Sequence, residues 1–308
     1  MPDSRQNIEI SALASLSEAI SKIAQNDGDF TTAIGALSLH RRNRPTTPVH
    51  CIYQMGLGVL AQGAKQVMLA GKPTYYRAGE SLLTTVDLPV VSHVTRASAE
   101  QPFLGMMLVL DPQTVAQLAA VIPPAPTVRE AQVTPLSVEP LDHALADALL
   151  RLVTLLAEPA LIAHVAPLIQ QEIIVRLLTG PYSSQLRQMA TAGTPGQQIA
   201  KVVGWLKQNF TRQFTIDELA ASAYMSPSTF RHHFRHVTGV SPLQFQKKLR
   251  LQEARQQMMN KNLDASSAAL FVGYESASQF SREYSREFGE SPWRDIRRLR
   301  AEGESGTP

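Results

Sequence analysis

Two sets of four side chains in this sequence have the chemistry to read the edges of nucleobases. One set is Ser228, Arg231, His232 and Arg235; the other is Ser278, Gln279, Arg282 and Arg286. Steps of three and four residues put such side chains on one face of a helix. An arginine there can bond guanine O6 and N7 with both arms of its guanidinium, and a glutamine can do the same to adenine. Serine hydroxyls and helix N-terminal amides hold phosphates. The same residues would also suit an ordinary solvated face, so the elements that carry them must decide.

Those elements repeat. YMSPSTFRHHFRHVTGVSP (224–242) aligns without a gap on YESASQFSREYSREFGESP (274–292), at an offset of 50 residues. Tyr224 falls on Tyr274, Ser226 on Ser276, Phe230 on Phe280, Phe234 on Tyr284 and Gly239 on Gly289. Each copy predicts a helix-turn-helix. In the first, Thr215 and Glu218 form a capping box, and Leu219, Ala220 and Ala223 supply an apolar side. Ser226 caps the next helix and Pro227 suits its first position. Phe230, Phe234 and Val237 then face inward, and Gly239 closes the helix. In the second, Asp264 opens a helix through Phe271, Gly273-Tyr274 turns, and the helix 277–288 buries Phe280, Tyr284 and Phe288. The segment 241–259 between them is a strong helix former. At ~1.5 Å per residue it spans about 27 Å, a scale near the ~34 Å of one DNA turn. Lys247, Lys248, Arg250 and Arg294, with Arg297 and Arg298, are the candidates for phosphate contacts.

Charge supports this reading. Residues 197–300 hold 16 of the 29 Lys and Arg but 9 of the 26 Asp and Glu, a net +7 that leaves −4 for the rest. A basic unit joined to a mildly acidic one suggests that one part meets a polyanion. The single cysteine, Cys51, excludes an internal disulfide and fits a reducing cytoplasm. The N-terminus lacks the pattern of a secretory signal, and no run approaches ~18 consecutive apolar residues, so a cytoplasmic protein without membrane contact is expected.

The remainder reads as α+β. Residues 1–27 predict a helix. From 30 to 110, short apolar runs alternate with turns such as Ala70-Gly71-Lys72-Pro73 and Ala78-Gly79-Glu80, which predicts an antiparallel sandwich or barrel. The Pro-rich stretch 121–135 predicts a loop. Residues 140–178 show helical periodicity with a break bracketed by Pro159 and Pro167, and 191–195 reads as a linker. His40, His50 and His93 are scattered, carboxylates near them are few (Glu80 and Asp87), and no hydrolase, zincin or P-loop motif occurs. No catalytic residue, metal or cofactor is therefore expected. Cys51 reads first as a small buried hydrophobe, with a sensor thiol as the alternative.

Residues 216–259 and VGYESASQFSREYSREFGESPWRDIR resemble the DNA-binding domain of the AraC/XylS family. The runs GVLAQGAKQV and AGESLLTTVDLPVVSHV resemble the N-terminal domain of a subgroup of these regulators. That resemblance implies a cupin-like β-barrel at 1–127 for sensing or dimer formation, a helical connector or dimer interface at 128–195, and an all-α DNA-binding domain at 196–308. It also implies double-stranded DNA, a small-molecule effector, RNA polymerase and a second copy of the chain as partners. Ser266 and Ser267 stand where the family more usually has apolar residues, which predicts a looser second subdomain. The expected function is a sequence-specific transcription regulator reading two successive major grooves. The alternative is a DNA-binding domain fused to an enzymatic barrel.

Overall fold

The computed structural model describes residues 3–123 and 134–304. Most of the Pro-rich loop expected at 121–135, and with it the 127/128 boundary, lies outside the described residues. The chain divides into two compact units. The first runs to Gln197 without His50–Ile52, and the second comprises those three residues with everything from Gln198.

The first unit opens with helix α1 (Asp3–Ile23) and continues through nine short strands. These are β1 (Gly28–Thr31), β2 (Leu37–Arg42), β3 (Val49–Tyr53), β4 (Gly56–Gln62), β5 (Ala64–Leu69), β6 (Lys72–Arg77), β7 (Glu80–Thr84), β8 (Leu88–Arg96) and β9 (Phe103–Val109). Helix α2 (Pro112–Val121) follows, then strand β10 (Leu136–Pro140) and helices α3 (His143–Thr154), α4 (Pro159–Thr179) and α5 (Ser183–Ala190).

The strands do not close into a barrel, which corrects the cupin-like barrel expected from the sequence. They form a six-stranded sheet, β1-β2-β9-β4-β7-β10, and a separate four-stranded sheet, β3-β8-β5-β6. β1 and β10 remain as edges of one, β3 and β6 as edges of the other. The reason lies at the corners. The chain leaves the first sheet after β4 at Gly63, whose φ of +87° and close approach to the Arg96 carbonyl (2.7 Å from an added Cβ) admit no side chain. It turns at Ala70-Gly71, both at positive φ. It then returns through Gly79 (φ +82°) to β7. β5 and β6 are thus committed to the second sheet and cannot bridge the edges of the first. Closure requires a continuous ladder around the ring.

Strand alternation sets the core. Leu57, Val59 and Ala61 of β4 and Leu104, Met106 and Leu108 of β9 join one cluster with Leu16 and Ile20 of α1 and with Leu149, Leu152 and Val153 of α3. The remaining positions of β4 are also buried, apart from the half-buried Gln62, so this strand reads as a continuous apolar run. α4 starts at Pro159, where a proline at the first helical position loses no hydrogen bond. The break expected between Pro159 and Pro167 falls instead at 155–158, and Pro167 sits inside the helix. By length and apolarity α4 alone among the described residues could cross a membrane. Its Ile169, Ile173, Ile174, Leu177 and Leu178 are buried in the domain core.

β10 and α5 carry little signal in sequence, yet they lock together. The buried Tyr182 hydroxyl donates to the Ser81 carbonyl at 2.7 Å and meets Ser81 Oγ at 2.9 Å. Burial pushes that phenol above its ordinary range. Ser81 Oγ also reaches the Glu139 carbonyl on β10 at 3.3 Å. Tyr182→Phe removes the partner and leaves the Ser81 groups underbonded. It is expected to cost about 1–3 kcal/mol, read as an earlier urea midpoint with an unchanged slope.

Candidate nucleic-acid interface

Apart from His50–Ile52 of β3, the elements of the second unit are helices: α6 (Pro195–Gln208, entering from the first unit), α7 (Ile216–Ser222), α8 (Pro227–Thr238), α9 (Pro242–Asn260), α10 (Ala265–Phe271), α11 (Ala277–Phe288) and α12 (Pro292–Glu304). Local chemistry explains the boundaries. Thr215 caps α7, with Glu218 N donating to Thr215 Oγ1 at 3.2 Å and Thr215 N to Glu218 Oε2 at 2.7 Å. Ser226 accepts from Thr229 N at 3.3 Å and opens α8. Ser276 accepts from Gln279 N at 3.3 Å and opens α11. Gly239 and Gly289 end these helices at φ +77° and +81°, the left-handed cap that glycine takes without strain.

Inside the first motif, Phe230 and Phe234 are fully buried, and Phe234 meets Phe245 of α9 edge-on at 5.7 Å. The second motif departs from this at one pair of positions. Fifty residues on, Phe234 becomes Tyr284 and Phe245 becomes Asp295. The Tyr284 hydroxyl donates to Asp295 Oδ2 at 2.7 Å. Arg255 of α9 grips the same carboxylate with Nε and Nη2, both at 2.8 Å, and Arg298 Nη2 adds a bond at 2.6 Å. Asp295 is fully buried. Burial alone would raise its pKa; the two arginines and the tyrosine outweigh that and hold it below the usual carboxylate value.

The repeat is not gapless. The offset of 50 holds from Ser226/Ser276 onward, but the first helices are related by 49. Their caps are Thr215 and Asp264, and their inward residues are Leu219, Ala220 and Ala223 against Ala268, Ala269 and Val272. The turns match in the same register. Tyr224 N bonds Ala221 O and Met225 N bonds Ala220 O, as Gly273 N bonds Leu270 O and Tyr274 N bonds Ala269 O. Tyr224 therefore corresponds to Gly273, and the second turn holds one extra residue. The shared letter hides two different environments: Tyr274 is 7% exposed and Tyr224 is 87% exposed. Both left-handed positions are occupied, Tyr224 at φ +55° and Gly273 at φ +84°. For a non-glycine residue that conformation costs roughly 1–2 kcal/mol. Ser266 and Ser267 lie on the exposed side of α10, so its buried face is intact.

The eight side chains named from the sequence fall on two helices. On α8, Ser228, Arg231, His232 and Arg235 are all exposed; on α11, so are Ser278, Gln279, Arg282 and Arg286. Neither Arg231 nor Arg235, nor Arg282 nor Arg286, has an ion pair or hydrogen bond from its side chain to a described residue. His233, the next residue after His232, is half-buried, with the two rings 5.5 Å apart. Burial first, and the neighbouring His232 and His236 second, push its pKa down.

The phosphate candidates divide. Arg294 is exposed. Lys247 pairs with Glu283 at 3.4 Å, and Lys248 pairs with Glu287. Burial would raise the Glu283 pKa, but the Tyr274 hydroxyl, Gln279 and Lys247 together hold it down. Arg250 has its guanidinium filled by backbone carbonyls: Phe210 at 2.7 Å, Thr211 at 3.0 Å, Gly273 at 3.3 Å and Arg212 at 3.4 Å. It ties the segment after α6 to α9, a role no sequence spacing announces. Cys51 lies half-buried on β3. Among the described residues no three His, Cys, Asp or Glu side chains are gathered to hold a metal.

Two capped helices, each presenting unpaired arginines from a helix-turn-helix, place the second unit in the tandem helix-turn-helix class. Residues 33–185 match the model of the AraC-type transcriptional regulator N-terminus, and residues 219–298 match that of a helix-turn-helix domain. The chain belongs to the AraC/XylS family of transcriptional regulators. It is 40% identical over 87 residues to the RCS-specific HTH-type transcriptional activator RclR of Escherichia coli (strain K12), covering 28% of this chain and 31% of RclR. It is 27% identical over 128 residues to the HTH-type transcriptional activator RhaS of Klebsiella pneumoniae (strain 342), covering 42% and 45%. The chain thus spans less than half the length of these curated relatives. An apo substituted form of ToxT from Vibrio cholerae strain SCE256 has a similar fold, with a TM-score of 0.57, 10% identity, and coverage of 85% of this chain and 97% of that one.

Proposed function

We propose that this chain binds DNA sequence-specifically through α8 and α11, reading two successive major grooves, and regulates transcription in response to a small molecule. The carrying observation is the pair of outward faces whose four arginines are exposed and unpaired, while Arg250, Arg255 and Arg298 nearby are bonded internally. Within this reading Arg231, Arg235, Arg282 and Arg286 contact bases or flanking phosphates, Ser228, His232, Ser278 and Gln279 complete the two faces, and Arg294 holds the backbone. Lys247 and Lys248 contribute less than their charge suggests, because Glu283 and Glu287 already neutralise them. The first unit receives the effector, and α3 and α4 serve as connector or dimer interface, supported by Leu161 and Leu168, 44% and 64% exposed on α4. Activation through RNA polymerase is the direction we propose, by likeness to RclR and RhaS, both named activators.

Selection from a randomised duplex library tests this. The enriched site should hold two segments about one helical turn apart. Arg231→Ala should relax base preference at one segment and Arg282→Ala at the other, each at about 1–3 kcal/mol. An equal loss on every sequence would assign these residues to phosphate alone, and no enrichment would end the sequence-specific reading.

A further inference from the structure

Tyr224 weakens the fold it sits in. Its backbone is left-handed at φ +55°, and its side chain, 87% exposed, makes no hydrogen bond, ion pair or ring contact with any described residue. The structurally matching residue in the second motif is a glycine, Gly273, which takes the same conformation freely. Neither packing nor the turn therefore calls for a tyrosine here. Strained residues that packing does not explain point to function.

Its position indicates which. Tyr224 stands two residues before Ser226, the cap of α8. The N-terminal end of a recognition helix is the end that enters the groove, flanked by phosphates. A tyrosine hydroxyl is among the groups that bond phosphate oxygens, and its rigid ring loses little entropy on being fixed. The second motif offers the opposite chemistry at its turn. Its extra residue places Glu275, exposed, before Ser276, with Gln213 Nε2 bonding its carboxylate at 3.0 Å.

We infer that Tyr224 is a DNA-backbone anchor of the first motif, its hydroxyl donating to a phosphate oxygen beside the groove that α8 reads, so that the first motif docks more firmly than the second. This rests on the DNA-binding reading above.

The test uses the full chain and a duplex selected from the library. Tyr224→Phe keeps the turn and removes the hydroxyl. It should weaken binding roughly tenfold on selected and unselected sequences alike. The slope of affinity against salt should stay unchanged, because a neutral donor displaces no counterion. Tyr224→Gly should weaken binding at least as much while raising the melting temperature of the second unit by about 3 °C, since the strain is relieved. A purely structural tyrosine could not move stability and affinity in opposite directions. Wild-type affinity in both variants would overturn the inference and leave the regulator reading standing, as would a lowered melting temperature in Tyr224→Gly. A wild-type chain that bound no DNA would overturn both.

Discussion

Asp295→Ala is expected to destabilise the helical unit by about 3–5 kcal/mol, the largest effect of any single substitution considered for this chain. The carboxylate is fully buried and receives bonds from Arg255 on α9, Tyr284 on α11 and Arg298 one turn along its own helix. Its removal leaves Arg255, itself 12% exposed, with an unpaired charge stacked 4.6 Å from the Phe288 ring. Asp295→Asn keeps the shape and a hydrogen-bond acceptor, so its cost should be about half as large. The measurement is chemical denaturation at neutral pH, followed by a pH series. The folded carboxyl titrates below its unfolded value of about 3.9. Its contribution is therefore complete above that value and is lost as the pH falls through the lower folded value. The gap between wild type and Asp295→Ala should be flat from pH 7 to 5 and shrink below about pH 4. A gap that widened in acid would show the assignment to be wrong.

Gly273→Ala should cost about 2–4 kcal/mol, combining left-handed strain of roughly 1–2 with overpacking of similar size. A Cβ at this position would stand 2.8 Å from the Thr211 carbonyl oxygen and 3.2 Å from its Cα. Those atoms cannot easily give way, because Arg250 holds the same carbonyl at 3.0 Å. Gly289→Ala is the control. It has a similar φ of +81°, but nothing lies within 4 Å of its added Cβ, so it should carry the strain term alone, about 1 kcal/mol. Equal melting shifts in the two variants would show that the Thr211 contact is relieved by small movements and that the segment after α6 is not held as tightly as its bonds imply.

The limits of α8 and α11 are written in residues within four positions of each end: a serine that caps, a glycine that releases, and aromatics spaced by one helical turn. Such rules act locally, which is why both helices lie at 227–238 and 277–288 as read from the sequence. The charge contrast between the two halves is likewise a property of composition. Sheet closure is different in kind. It depends on which distant strand each edge meets, and the apolar alternation of β1 to β9 is the same in a sandwich as in a barrel. β10 and α5 are not legible in the sequence for a related reason, since each is held by partners some 50 to 100 residues away, as Ser81, Glu139 and Tyr182 show.

The eight outward side chains of the two motifs were determined by the sequence alone, because helical periodicity decides which way they point. What each remaining cation does was decided by the tertiary structure. Arg250 and Arg294 look alike as letters, yet one is enclosed by four carbonyls and the other is exposed. The turns show the same division most sharply. An ungapped repeat paired Tyr224 with Tyr274, and only the hydrogen bonds of the folded turns reveal that Tyr224 occupies the place of Gly273, because backbone conformation follows a residue's position in the turn and not its name.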